Sequence, residues 1–158
     1  MKMRRSDRLV ADEGRIRRII DDSAVCRVAL HDEEGLYIVP MNFGYVYNEG
    51  KLTLYFHSAT DGRKIRAIKA SGGAAFEMDC MGNVTEGPNA CSYSCVYSSV
   101  TGAGKASLVE DTEEKKRALS LIVEHTAHRH FDFDDKAAAT VAIIRLDAET
   151  FSAKEKIQ

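Results

Sequence analysis

The segment 36–64 constrains the fold of this chain more than any other. It begins with apolar, β-branched and aromatic residues separated by short polar turns, which predicts consecutive strands. The last strand ends at His57 and Ser58, and a glycine followed by Arg63 and Lys64 then begins a helix. Free backbone N–H groups and the positive end of the helix dipole favour an anion at such a position. The segment therefore predicts a phosphate site.

Length and charge limit what the chain can be. We interpret its 158 residues as a single domain, 1–158, in which residues 1–10 form a loose N-terminal arm. The 22 Lys and Arg residues nearly balance the 24 Asp and Glu residues, which predicts no bulk attraction to nucleic acid or to an anionic membrane. We find no apolar signal or membrane-spanning segment, so the expected location is the cytoplasm, where the four cysteines would be reduced thiols.

The remaining pattern predicts strands with a few short helices. Asp12 is expected to cap a first helix, residues 63–70 to form a second, and Asp111 to begin a third that ends near His125. Pro40 is expected on an edge strand or at a bulge. Residues 81–90 are expected to be an irregular loop, 138–146 the closing strand and 151–158 a polar tail. This arrangement is mainly β (α+β) and antiparallel, which suggests a small barrel or sandwich.

Three strings in this order resemble a known family. They are VPMNFGY at 39–45, LYFHSA at 54–59 and GRKI at 62–65, followed by YSSV at 97–100 and a helix start at 111–114. Together they resemble the pyridoxamine 5′-phosphate oxidase-like superfamily of FMN-binding split β-barrels. Within it, they are most similar to the nitroimidazole-resistance (Nim) reductase group.

The resemblance implies a homodimer of split barrels with FMN at the subunit interface. It places the FMN phosphate against Ser58, Arg63 and Lys64. It places four residues along the isoalloxazine ring, namely Pro40, Met41, Asn42 and Phe43. Phe56 and His57 would lie near the ring or the ribityl chain. The weaker assignments, which would act from the partner subunit, are Tyr97, Ser98 and Ser99.

The implied function is that of an FMN-dependent oxidoreductase that reduces a small electrophile, such as a nitroaromatic or nitroimidazole compound. His57 is the titratable side chain beside the proposed ring, and it would donate a proton or orient an anionic substrate. The chain ends without the arginine- and histidine-bearing segment of true pyridoxamine phosphate oxidases, which argues against that substrate. The alternatives are a flavin carrier or sensor without turnover, and a haem-handling relative of the same fold.

Two further groups of residues could carry chemistry. His125, His128 and His130 lie near a helix end, where a metal site would need them to converge, but the helix dipole also favours histidines there. We interpret them as surface or interface residues and predict no metal. Cys91 and Cys95 are spaced for one face of a strand, and we interpret them as free structural thiols.

Overall fold

A computed structural model describes residues 5–157 of the chain. It contains eight strands and four α-helices, with 3-10 turns at Ser6–Arg8 and Ala90–Ser92. The strands are β1 (Leu9–Val10), β2 (Cys26–Asp32), β3 (Gly35–Met41), β4 (Gly44–Asn48), β5 (Lys51–Ser58), β6 (Gly73–Thr85), β7 (Ser94–Leu108) and β8 (Ala142–Lys156). The helices are α1 (Glu13–Asp22), α2 (Arg63–Ser71), α3 (Thr112–Ala127) and α4 (Asp135–Ala139).

All strands form one antiparallel sheet in the order β3-β2-β6-β7-β8-β5-β4, and β1 pairs with β8. The path ends at β3 on one side and β4 on the other, so the sheet is an open barrel and not a closed one. This confirms the mainly β split barrel that the resemblance implies. Pro40 lies in β3, an end strand of the sheet, as its missing N–H requires.

The main core fills the inside of the sheet. Alternation along β5 buries Leu52, Leu54 and Phe56 on one face. The apolar faces of α1 and α2 pack into the same core, where Ile20 and Ile65 are fully buried. The buried faces of α1 and α2 therefore belong to the same core as the strands.

The third helix packs on the outer face of β4 and β5. A side chain at Gly44 would lie within 2.5 Å of the backbone of α3 at Ile122, so only glycine permits this approach. The Tyr55 hydroxyl donates to Glu114 Oε1 at 2.9 Å, and burial followed by this hydrogen bond raises the pKa of Tyr55 to about 12. The close contact fixes α3 against the strand that follows the segment 40–43.

Several sequence-based boundaries were wrong. The expected loop 81–90 begins as part of β6, which extends to Thr85, and residues 151–156 of the expected polar tail belong to β8. This tail is strand because Phe151 and Ala153 face the core while β7 and β1 satisfy its backbone. The closing strand begins at Ala142 and not at 138, because Asp134 caps α4 just before it.

The expectation for residues 1–10 is partly wrong. Residues 1–4 lie outside the described part of the chain. Leu9 and Val10 form β1 and pair with Lys154 and Ala153, so they belong to the sheet and not to a loose arm. Among residues 5–157, the helices are all too short or too polar to cross a lipid bilayer.

Candidate functional site

The start of α2 is the centre of the candidate site. Its N-cap is Gly62, whose φ of 136° and ψ of 171° lie in a region that only glycine adopts readily, and it offers no side-chain cap. The first hydrogen bond of the helix runs from Arg66 N to Gly62 O at 3.1 Å. The backbone N–H groups of the three preceding residues therefore point out of the helix end. Such an end binds an anion.

Ser58 supplies a second polar group close to this helix end in sequence. Ser58 lies on the buried face of β5 and is only 6% exposed. Its Oγ atom has no hydrogen-bond partner among the residues that the structure describes. A buried hydroxyl without a partner is costly, so an acceptor from outside the chain would stabilise this position. The site therefore fits a phosphate group.

The two predicted cations at this helix start have different surroundings. Lys64 is half-buried and makes no salt bridge within residues 5–157. Arg63, in contrast, donates from Nε and Nη2 to both carboxylate oxygens of Asp32, at 2.7 and 2.8 Å. Its Cζ also lies 4.7 Å from the centre of the Tyr37 ring. Of the two cations, Lys64 is thus the one with an ammonium available to a ligand.

The contact between Arg63 and Asp32 shifts the pKa of both side chains. Its hydrogen bonds hold the pKa of the Asp32 carboxyl below its ordinary value, and Asp32 in turn raises the pKa of Arg63. Asp32 and Tyr37 were not predicted as site residues. In the sequence, Asp32 is one of three consecutive acidic residues in a turn, and no local signal singles it out.

The predicted ring-binding segment lies beside the end of β5. Gly44 pairs with Tyr55, so the chain just before Gly44 runs alongside Phe56 and His57. Pro40 and Asn42 are exposed, and Asn42 Nδ2 donates to Ala24 O at 3.4 Å. The pairing of Gly44 with Tyr55 therefore places the chain that follows β3 near the end of β5, and the start of α2 follows Ser58 by four residues in the sequence.

Three predicted residues have side chains that are either buried in the main core or on the face of β5 opposite to Ser58. Phe43 and Phe56 are both 0% exposed in the main core, so neither ring faces outward in this protomer. The Phe43 ring lies 4.2 Å from the ring of His125. His57 is exposed but projects from the face of β5 opposite to Ser58, because neighbouring strand residues alternate. Only backbone groups of Phe43 and Phe56 can contribute to a site here.

Tyr97, Ser98 and Ser99 lie far from Ser58 in the same protomer. Ser99 pairs with Lys154, whereas Ser58 pairs with Ala142. These partners are separated along β8 by about 40 Å of chain at ~3.3 Å per residue. The Tyr97 hydroxyl instead accepts a hydrogen bond from Arg8 at 2.8 Å. If these residues line the site, they must come from a second protomer.

The three histidines do not converge. His125 Nε2 lies 2.9 Å from Ser23 O, and the side chain of His130 contacts Glu124 and Asp132. These two contacts raise the pKa of His130, with the Glu124 hydrogen bond contributing most. Within residues 5–157 no group of three or more His, Cys, Asp or Glu side chains is arranged to hold a metal. Cys91 and Cys95 are free thiols.

A polar cleft that the sequence did not indicate lies between α1, β4 and α3. Its walls include Arg17, Tyr45 and His125, and the Tyr45 hydroxyl donates to Asp21 at 2.6 Å. Burial and this hydrogen bond raise the pKa of Tyr45. Because His125 also contacts Phe43, the cleft adjoins the segment 40–43.

The family model described as pyridoxamine 5′-phosphate oxidase matches residues 12–155. The chain belongs to this family. A crystal structure of a candidate 5-nitroimidazole antibiotic resistance protein from Bacteroides thetaiotaomicron is 32% identical and has a TM-score of 0.79. The match covers 93% of this chain and 86% of that one. Both findings confirm the family resemblance seen in the sequence.

Two other members of the fold are more distant in sequence. A flavocytochrome from Azotobacter vinelandii is 19% identical, with a TM-score of 0.79 over 99% of this chain and 73% of its own. An FAD- and haem-binding protein from Mycobacterium smegmatis is 20% identical, with a TM-score of 0.79 over 96% and 74%. At these identities the likeness shows the fold alone. No curated protein matches the chain.

Proposed function

We propose that this member of the pyridoxamine 5′-phosphate oxidase family is an FMN-dependent oxidoreductase that reduces a small electrophile, such as a nitroaromatic compound. The observation that carries the proposal is the start of α2, where an uncapped helix end lies in sequence next to the buried, unpartnered Ser58 hydroxyl. The 32% identity to the candidate nitroimidazole-resistance protein supports the substrate class.

The residues of this chain would hold FMN at two places. Lys64, the Ser58 hydroxyl and the first N–H groups of α2 would bind the phosphate, because all of them donate hydrogen bonds. A charge-assisted hydrogen bond contributes roughly 1.5–3 kcal/mol. Backbone groups of residues 40–43 would contact the polar edge of the ring. Pyridoxamine 5′-phosphate itself is not the expected substrate.

Bound FMN would supply the electron-transfer chemistry, which no side chain can provide. The chain would fix the orientation of the ring and shield it from water. Its segment 40–43 is well placed for this role, since Asn42 is tied to Ala24 and the Phe43 ring packs on His125. A nicotinamide nucleotide or another donor would dock only transiently.

The proposal includes a homodimer with FMN between the subunits. Its support is the distance between Ser58 and the residues 97–99, which can line one site only if two protomers contribute. The outer side of β3 also exposes Leu36 and Ile38, which are 85% and 65% exposed. Large apolar side chains on a sheet face mark an interaction surface. Cross-linking or sedimentation of the protein measures its oligomeric state directly.

His57 is the proposed source of a proton or of a contact to an anionic substrate. It is the exposed titratable residue at the end of β5, beside the segment 40–43. A His57→Ala variant should retain FMN and lose turnover. A variant that retains both would remove His57 from the proposal without affecting the flavin site.

The absorption spectrum of the isolated protein tests the proposed function. We expect a flavin spectrum, release of FMN on denaturation, bleaching on addition of NAD(P)H and reoxidation by a nitro compound. Bound flavin that no electron donor bleaches would instead indicate a carrier or sensor, and a Soret band would indicate haem handling. Protein that contains no flavin and binds none on titration would contradict the proposal.

A further inference from the structure

We propose that Arg63 is a positioning residue of the flavin site and not a ligand of the phosphate. In this inference, which rests on the proposed function, Arg63 holds the hairpin of β2 and β3 against the start of α2. The resemblance assigns Arg63 to the phosphate, but the structure gives its guanidinium a different partner.

The guanidinium is already bound in a bidentate pair. Two of its N–H groups donate to Asp32, and Nη1 lies 3.7 Å from Glu34 Oε2. The Asp32 side chain is only 16% exposed. Removing Arg63 from a mostly buried carboxylate would leave an uncompensated charge. A phosphate drawn to Arg63 would also approach both carboxylates, and like charges at that distance repel one another.

The position of Arg63 links the two ends of the proposed site. Its Cζ lies 4.7 Å from the centre of the Tyr37 ring, near the beginning of β3, whereas Pro40 and Met41 end the same strand. In the sheet, β3 is an end strand that pairs with β2. Contacts from Arg63 therefore hold the strand that carries the predicted ring-binding residues. Loss of these contacts should affect the ring end as well as the phosphate end.

Comparison of FMN with riboflavin, which lacks the phosphate, separates a positioning residue from a phosphate ligand. The dissociation constant of each flavin would be measured by fluorescence quenching for the apoprotein and for Arg63→Met, Asp32→Asn and the double variant. We expect each single variant to weaken both flavins by the same factor, about tenfold, which corresponds to 1.4 kcal/mol. The double variant should be no weaker than the single variants, because both remove one interaction.

Two variants on the same helix serve as controls. Lys64→Met should weaken FMN and leave riboflavin unchanged, which is the behaviour of a phosphate ligand. Arg66→Met removes an exposed cation whose partner, Asp61, is at 3.5 Å, and should change neither flavin. Urea unfolding of the apoproteins adds a measurement that needs no flavin. The Arg63→Met and Asp32→Asn effects on the unfolding midpoint should not add.

The inference is overturned if Arg63→Met weakens FMN alone, or if Asp32→Asn tightens FMN by releasing the guanidinium. Should Arg63→Met fail to fold, the isosteric Asp32→Asn variant carries the same test. A wild-type protein that binds neither flavin would overturn both the inference and the proposed function. That failure is seen without any variant, so the two results can be told apart.

Discussion

The start of α2 differs from the starts of the other three α-helices. Helices α1, α3 and α4 each follow an aspartate whose side chain accepts a hydrogen bond from a first-turn N–H, at 2.7 to 2.8 Å. Helix α2 follows a glycine without a side-chain cap, and its first turn contains no acidic residue. A carboxylate cap satisfies the helix end from within the chain. At α2 the N-cap residue has no side chain that could take this role.

The difference supports the proposal that the start of α2 binds an anion. An internal cap neutralises the positive end of the helix dipole and removes its attraction for a free anion. Helices α1, α3 and α4 all have such caps. Helix α2 instead begins with Gly62, in a conformation that only glycine adopts readily, and has Lys64 in its first turn.

Giving α2 an aspartate N-cap like those of the other three helices should have the largest effect on FMN affinity. A Gly62→Asp substitution would place a carboxylate at the anion site, and we expect FMN affinity to fall about 100-fold or more, because two charge-assisted contacts of about 1.5 kcal/mol or more each would be lost. Gly62→Asn is the matched control, because it carries the same backbone strain without the charge. Titration with FMN and riboflavin measures both. Equal losses for Asp and Asn would show that strain, and not charge, is responsible.

Removing the free cation should have a smaller effect. Lys64→Met is expected to weaken FMN roughly tenfold, because Lys64 is half-buried and part of its interaction is screened by water. Isothermal titration at two salt concentrations checks this, since the loss should shrink at high salt. Lys69→Met, at the other end of α2, is the control. An unchanged FMN affinity in Lys64→Met would contradict the assignment.

Removing an internal cap should lower stability and leave flavin binding intact. We expect Asp12→Ala and Asp111→Ala each to reduce the free energy of unfolding by about 1 kcal/mol. Urea unfolding of the apoprotein measures the change, and the FMN titration should be that of the wild type. A loss of FMN affinity in Asp111→Ala would mean that the capped helices also serve the site.

The smallest expected effect is the pH dependence of the stability that the Arg63–Asp32 pair contributes. Because its pKa is lowered in the folded protein, Asp32 stabilises the fold above its unfolded pKa of about 3.9. This contribution is lost as the pH falls through the folded pKa. The difference in melting temperature between wild type and Asp32→Asn should therefore be present at pH 6 and shrink below about pH 4. A difference that does not vary with pH would show that the carboxylate charge is not responsible.

Local features of the fold could be predicted from the sequence because they depend on neighbouring residues. Asp12 and Asp111 lie at the N-caps where they were expected, and Gly72 ends α2 in the left-handed conformation. The family resemblance could also be recognised from the sequence, because it rests on contiguous motifs. The strand over residues 151–156 could not be predicted, because the alternation of this segment is weak and its pairing with β7 and β1 stabilises it.

The residue pattern predicts antiparallel strands with a glycine and two cations at the start of α2, and the family resemblance adds the split barrel. Which of the two cations can contact a ligand depends on residues that are distant in the sequence. The partner of Arg63 is Asp32, 31 residues away, and no local pattern connects them. Likewise, the burial of the Ser58 hydroxyl follows from packing inside the sheet. The sequence shows which polar and charged side chains a segment contains. The hydrogen bonds and ion pairs that these side chains make depend on residues that folding brings together.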